Sequence, residues 1–446
     1  MVKTKGNFSL FDFCKRKADK VQIYGEETID EDGSVLSFID QAALITHYLL
    51  LRNSDVVLPY SEKAQGILNL WCEFITGQQV SESMGECVSE SSSSIQGYLF
   101  PDLFQAPFQA PSNPKFTFID LFAGIGGFRM AFQNLGGQCV FSSELDEQAR
   151  KTYYTNYGDV PFGDITKEST KNKIPKNFDI LCAGFPCQAF SLAGKRLGFE
   201  ETRGTLFFDV AEILRRYQPK AFFLENVKGL VSHDKGKTFK TILKTLDEVG
   251  YVVPDPEIVN AMYFGVPQHR ERIYIVGFRK DLGIKKSDFT YPVQKEITKR
   301  WIDVREEKPV PAKYYLSTTY IDTLIRHKAR HEAKGHGFGY DIIPDDGIAH
   351  AIVVGGMGRE SNLVIDFRQK DLTPTTRIKG EVNKQGWRKM TPREWARLQG
   401  YPDSFKIVVA DASAYKQFGN SVAVPAIQAT ASQLLKTLRN YGIIRE

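Results

Sequence analysis

Between Lys115 and Lys280, short apolar runs alternate with helical patterns, and that alternation leaves few architectures open. Apolar stretches recur at 116–122, 139–142, 178–183, 221–224 and 273–278, each bounded by polar or glycine-containing sequence. Between them, 206–217 and 238–249 carry apolar residues at helical spacing. Strands that alternate with helices pair in parallel, because each crossover returns the chain to the same end of the sheet. The expectation is an α/β fold with a doubly wound sheet, whose chemistry collects at the carboxyl ends of its strands.

The residues at those ends are informative. Asp120-x-Phe122-x-Gly124-x-Gly126-Gly127 runs from a strand into a glycine turn, where the lack of Cβ atoms lets the backbone approach a ligand. A nicotinamide-binding turn would read GxGxxG, whereas here the third glycine directly follows the second. The next strand ends at Glu144, about where such sheets grip a ribose diol, and Asp164 closes a later loop in Gly163-Asp164-Ile165. Run 178–183 leads into Gly184-Phe185-Pro186-Cys187-Gln188-Ala189-Phe190-Ser191, and run 221–224 leads into Glu225-Asn226. On its own residues, Cys187 divides evenly between a small core side chain and a nucleophile.

Together with Gln268-His269-Arg270-Glu271-Arg272 and 417–425, these blocks resemble, in kind and order, the DNA (cytosine-5) methyltransferases. The resemblance runs from about Lys115 to the C-terminus. It implies the fold of the S-adenosylmethionine-dependent methyltransferases, with Asp120, Phe122, Gly124, Gly126 and Gly127 around the methionine part of that cofactor. It also places Glu144 on the ribose, Asp164 with Ile165 on the adenine, and Asn420, Ser421 and Val422 in a last block that completes the pocket. C5 of cytosine is a poor nucleophile, so the implied chemistry begins with addition of the Cys187 thiolate at C6. Free cysteine has a pKa of about 8.5, so that thiolate needs help from its surroundings. Glu225 is implied as the partner of N3 and Arg272 as the partner of O2. Arg270 supports the loop or a phosphate, and Asn226 holds the loop that carries Glu225. The target base must leave the stack, and the loop with Ser191 and Arg196 would close over it.

Composition divides the chain. Residues 1–80 form an expected helical extension with helices at 37–52 and 61–76, and neither is rich in Arg, Lys, Asn or Gln as a DNA-reading helix would be. Ser/Glu and then Pro/Gln sequence over 81–114 reads as a linker. The catalytic domain is expected over 115–280, completed by about 411–446, with a smaller target-recognition domain over 281–410. Because each matching block lies beyond 114, the extension is expected to be dispensable for chemistry. From Asp281 to Lys389, 20 Lys and Arg stand against 15 Asp and Glu, a net +5 that equals the excess of the whole chain. Short strands are expected there at 351–354 and 363–366. Arg359 and Arg377 are the candidate guanine readers, and the region most resembles those of bacterial enzymes acting on GGCC or CCGG palindromes.

The chain has no run near the ~18 apolar residues of a membrane span and no CxxC spacing among its six cysteines. His327, His331 and His336 have no cysteine nearby, and no metal is expected. The resulting expectation is a monomeric enzyme of the bacterial cytosol, held at the nucleoid by double-stranded DNA. It would belong to a restriction-modification system, with a cognate endonuclease acting separately. An RNA (tRNA) cytosine-5 methyltransferase is the alternative enzyme, but the long 281–389 region favours duplex DNA. A non-catalytic DNA-binding regulator would not need Cys187, Glu225 and Arg272 together, and a dehydrogenase leaves Pro186-Cys187 unexplained.

Overall fold

In the computed structural model, which describes residues 25–76, 100–186, 206–337, 339–355, 359–373 and 380–445, the apolar runs become strands of one sheet. These are β1 (Phe116–Leu121), β2 (Gly137–Ser143), β3 (Ile180–Ala183), β4 (Ala221–Val227), β5 (Tyr251–Val252), β6 (Glu257–Asn260) and β7 (Glu271–Arg279). Their order is β2-β1-β3-β4-β7-β5, with β6 also paired to β7. β1 pairs in parallel with β2 and β3, and β3 pairs in parallel with β4, whereas β5 runs antiparallel to β7. Central strands are buried along their length, which is why they read as continuous apolar runs rather than alternating ones.

Register fixes where the strands stop. Leu121 is level with Ser143 on one side and Ala183 on the other, and Ala183 is level with Leu224. One residue further on, Glu144, Phe122, Gly184 and Glu225 therefore share one edge of the sheet.

The chain divides into two compact units. The first comprises Met1–Pro256, Tyr274–Thr290 and Leu434–Glu446, and the second Glu257–Ile273 and Tyr291–Gln433. In the first unit, α1 (Phe38–Leu51) starts where the Ser37 hydroxyl accepts from the Asp40 N–H at 3.2 Å. α2 (Ser61–Thr76) packs on it through Trp71, whose ring stacks on Phe38 at 4.2 Å and whose indole N–H donates to Gln41 at 2.8 Å. The linker expected over 81–114 needs correction in its last part. Residues Pro101–Gln105 form a short helix, α3, and Phe100 and Leu103 are buried, with Phe100 against Trp71. Aromatic side chains can bury there despite the Pro/Gln composition, so the composition misled.

Five further helices complete the first unit. They are α4 (Gly127–Gln133), α5 (Glu147–Tyr157), α6 (Glu168–Lys171), α7 (Leu206–Tyr217) and α8 (Lys237–Glu248). Rings interlock beneath the sheet, with Phe128 edge-on to Phe223 at 5.2 Å and Phe223 edge-on to Tyr274 at 5.1 Å.

In the second unit, a small antiparallel pair, β8 (Leu363–Ile365) with β9 (Trp387–Lys389), packs beside α9 (Thr318–Glu332) through Leu316, Ile321, Leu324 and Leu363. The strand expected at 351–354 is absent. The backbone of Ile352 is satisfied by side chains instead: its N–H donates to Gln268 and its carbonyl accepts from Arg270. α10 (Pro392–Leu398) opens with a reciprocal Thr391–Glu394 capping box and is followed by α11 (Asp411–Asn420), while the last helix, α12 (Val424–Asn440), belongs to this unit up to Gln433 and to the first from Leu434.

The charged centre of this unit is Arg388, fully buried in β9. It holds Glu394 through two bonds of 2.8 Å and Asp366 through one of 3.0 Å. Burial pushes the Asp366 carboxyl up in pKa, but hydrogen bonds from Arg368 and the charge of Arg388 outweigh it and hold it well below the usual range. The stabilisation from Asp366 is therefore intact above the unfolded carboxylate pKa and is lost as pH falls through the depressed one. Arg388→Ala takes the guanidinium from buried Glu394, while Asp366 keeps Arg368, and the second unit should lose about 3–5 kcal/mol of unfolding free energy. Urea denaturation at neutral pH measures this, and a loss below about 1 kcal/mol would exclude the network as the unit's anchor.

Candidate active site

The glycine turn follows β1 without a break, and its geometry is unusual from the first residue. Phe122 takes φ 55°, a left-handed backbone that costs a bulky side chain on the order of 1–3 kcal/mol. Gly124 has φ +56°, and a Cβ there would meet nothing within 4 Å, so the turn is open on that side. Gly126 has φ +82°, and there a Cβ would strike the Tyr157 ring at 2.3 Å. Tyr157, from α5, also donates to the Gly126 carbonyl at 2.7 Å and so holds the turn from the closed side.

Glu144 secures the open side. Its two carboxylate oxygens accept from the Gly124 N–H at 2.8 Å and the Asp146 N–H at 2.7 Å. Burial raises its pKa although these two N–H groups pull the other way. Next to it, Phe162 continues the sheet beyond β2, donating to Ser142 at 2.8 Å and accepting from the Glu144 N–H at 2.8 Å. That pairing carries Asp164 to the same edge, where one carboxylate oxygen accepts from the N–H and hydroxyl of Thr166 and Ile165 is buried. Tyr157 and Phe162 went unread in the sequence, although Val160-Pro161-Phe162 before Gly163-Asp164 has the composition of a short extended run.

At the ends of β3 and β4 a second cluster forms. Glu225 is buried on the last turn of its strand. Asn226 donates to the Phe185 carbonyl at 2.9 Å and accepts from the Val227 N–H at 2.8 Å. Asn226 thus ties the end of β4 to the residue two positions before Cys187, a finer role than holding its own loop. Phe185 is itself buried and lies 5.7 Å from the Phe207 ring. Cys187, Ser191 and Arg196 lie outside the described residues, as does Arg377.

The profile of the family described as C-5 cytosine-specific DNA methylase matches residues 116–436. The chain belongs to that family. It is 72% identical over 338 residues to the type II methyltransferase M.HpaII of Haemophilus parainfluenzae, covering 75% of this chain and 94% of that protein. Against M1.ScrFI of Lactococcus lactis subsp. cremoris it is 47% identical over 340 residues, covering 76% of this chain and 82% of that one. The crystal structure of the S. pombe methyltransferase Dnmt2 shares the fold, with a TM-score of 0.54 at 19% identity, over 72% of this chain and 99% of that one. The protein is a DNA (cytosine-5) methyltransferase that uses S-adenosylmethionine.

The residues of this C5 methylase fit that cofactor. Gly124 leaves open space at a strand-end turn, and both carboxylate oxygens of buried Asp120 lack a hydrogen-bond partner among the described residues. Burial also raises the Asp120 pKa well above the carboxylate range, against the pull of Arg129. In the second unit, Arg270, grouped with the catalytic residues and expected to support the loop or a phosphate, is held by main chain. It is buried and donates to the carbonyls of Ile352, Gly419 and Ser421 at 2.6–3.2 Å, which commits its charged end to main-chain oxygens. Arg272 is partly exposed at the start of β7 and donates to the Glu271 carbonyl. Asn420 is exposed at the end of α11, Val422 is buried, and the Ser421 hydroxyl bonds Tyr401 at 2.7 Å. Arg359 is exposed, with its guanidinium 5.4 Å from the Tyr415 ring centre.

Glu144→Ala removes the acceptors of two turn N–H groups at once, each worth more than a neutral hydrogen bond. Isothermal titration should show S-adenosylmethionine binding weakened about tenfold or more. An affinity within about twofold of the parent would separate Glu144 from the cofactor.

Proposed function

We propose that this methylase flips a cytosine out of a short duplex site and methylates C5 through a covalent adduct with Cys187. The observation that carries this reading is the shared sheet edge, where Glu144, Phe122, Gly184 and Glu225 follow level strand positions. Cys187 lies three residues beyond Gly184, behind a loop that Asn226 tethers. Bound S-adenosylmethionine supplies an electrophilic methyl on sulfur. Phe122 and the Gly124–Gly127 turn take its methionine end, Glu144 the ribose, and Asp164 with Ile165 the adenine.

The thiolate of Cys187 forms the bond to C6, and the ring electrons move toward C5. Glu225, at least transiently protonated, hydrogen-bonds N3 and draws charge off the ring. Arg272 is assigned to O2 through the motif in which it stands. Asn420, Ser421 and Val422 are assigned to the cofactor in the same way. Once C5 carries the methyl, a base takes the C5 proton, the C5–C6 double bond re-forms and the C6–Sγ bond breaks, which returns Cys187 as the thiolate.

Duplex DNA is read by 281–410, whose basic excess supports phosphate contact, with Arg359 and Arg377 as guanine partners. Kinship with type II methyltransferases supports a role in protecting bacterial DNA, with a separate endonuclease as the cutting partner. Among the described residues no helix is long and apolar enough to cross a membrane. We place the enzyme in the cytosol as a monomer, held at the nucleoid through its substrate.

DNA carrying 5-fluorocytosine at the target should be trapped covalently when cofactor is present, because fluorine does not leave as a proton does. Cys187→Ala should abolish the trapped band on a denaturing gel, and an undiminished band would refute the assignment. Digestion of plasmid from expressing cells with methylation-sensitive nucleases for GGCC and CCGG identifies the protected palindrome.

A further inference from the structure

Residues 25–76 and 100–106 lie before the family match, yet they pack around the loop that carries Asp164. Contacts cover each residue from Gly158 to Gly163. A Cβ on Gly158 would meet the Leu103 carbonyl at 2.9 Å, so the chain around α3 lies directly against it. Asp159 is bound by His47 at 3.4 Å and by Arg129 at 2.5 Å, all three buried. The Val160 N–H donates to the Thr46 hydroxyl at 3.0 Å, while that hydroxyl donates to Ala42 within α1. Arg150 donates to the Pro161 carbonyl and to Asp40 at the start of α1, at 2.9 and 2.8 Å. The Phe162 ring meets His47 at 4.6 Å and Tyr60 edge-on at 5.5 Å. Gly163 faces Asp40, whose carboxylate would lie 3.3 Å from a Cβ. Past Asp164, Lys173 pairs with Asp30 at 2.9 Å.

We infer that residues 30–60, with the short helix α3, are a positioning element for the S-adenosylmethionine site, setting cofactor affinity by holding the 158–164 loop in its binding geometry. The inference rests on the reading that Asp164 contacts the adenine. The physical reason lies in the loop itself. Its ladder pairing to β2 is limited to Phe162, and a short loop with so little pairing is ordered by whatever packs on it. Thr46, His47 and Asp40 supply that order before the ligand arrives, so binding does not bear the entropy cost. The extension then has a part in cofactor affinity, while the chemical step stays with residues beyond 114.

The test uses the full chain. Thr46→Val removes the acceptor of a buried N–H, and Asp40→Asn weakens the Arg150 link at a half-buried site. Each should raise KM for S-adenosylmethionine, Thr46→Val by about tenfold, with kcat at saturating cofactor and KM for DNA within about twofold of the parent. Thr46→Ser, which keeps the hydroxyl, should restore the parent value. Asp164→Ala is measured alongside by isothermal titration with S-adenosylmethionine. If Asp164→Ala weakens binding while the folded Thr46→Val and Asp40→Asn proteins keep the parent KM, the segment only stabilises the fold and the inference is overturned. If Asp164→Ala binds as the parent does, the adenine assignment itself fails and the inference falls with it. Should Thr46→Val fail to fold, Asp40→Asn decides by the same readout.

Discussion

The first unit depends on the level register of four parallel strands. With Ser143, Leu121, Ala183 and Leu224 side by side, the next residue of each strand emerges at one edge. β2 lies on one side of β1 and β3 on the other, and open α/β sheets bind ligands beyond the carboxyl ends of strands at such a point of reversal. The Phe122–Gly126 turn leaves β1 there, and Gly184-Phe185-Pro186 leaves β3 at the level strand position. The positive φ of Phe122 is held there by main-chain pairing on both sides of β1 and by Glu144 on Gly124. A strained residue persists when its surroundings over-determine it, and this edge does so.

Both units bury charge, and each does so in a paired form. Asp159 sits between Arg129 and His47 in the first unit, and Arg388 sits between Glu394 and Asp366 in the second. Burial depresses the His47 pKa in spite of Asp159, so the imidazole tends to neutral while Arg129 carries the compensating charge. Such groups add little net stability over apolar packing, but breaking one leaves an uncompensated charge. Their effect is to allow one arrangement of the attached segments: α1 with the 158–164 loop in one case, β9 with α10 in the other.

The sheet was legible because continuous apolar runs and helical spacing are local signals. Residues 206–217 and 238–249 read as helices and are found at Leu206–Tyr217 and Lys237–Glu248. What escaped were features set by side chains distant in sequence. Residues 351–354 have strand composition, but Gln268 and Arg270 take the backbone bonds of Ile352. The Pro/Gln stretch before Pro114 looked unstructured, yet Phe100 found Trp71. No local pattern announces that Thr46 will meet the Val160 N–H, since 114 positions separate them. At the site, residue types were readable where chemistry demands them, as at Glu144 and Glu225. Their supports were not, because a carbonyl acceptor can be met by many side chains.

That distinction also sorts the motif residues themselves. Arg270 and Arg272 stand two apart in one block, on a strand edge where alternate residues normally share a face. The resemblance already gave them different places, Arg272 on O2 and Arg270 on the loop or a phosphate, and burial separates them as well. A guanidinium that donates to three main-chain carbonyls in a buried site has exchanged its hydration for those bonds, and turning it toward a ligand would strand all three acceptors. Arg272 is partly exposed and donates to the neighbouring Glu271 carbonyl. Asn226 follows the logic of Arg270. Both its amide donor and its carbonyl are engaged by main chain, which makes it a strut for the Phe185 loop, while Glu225 beside it is the residue with acid–base chemistry to offer. Motifs of this kind can interleave groups that hold main chain with groups assigned to the reaction, and the hydrogen bonds of Arg270 and Asn226 mark the first kind.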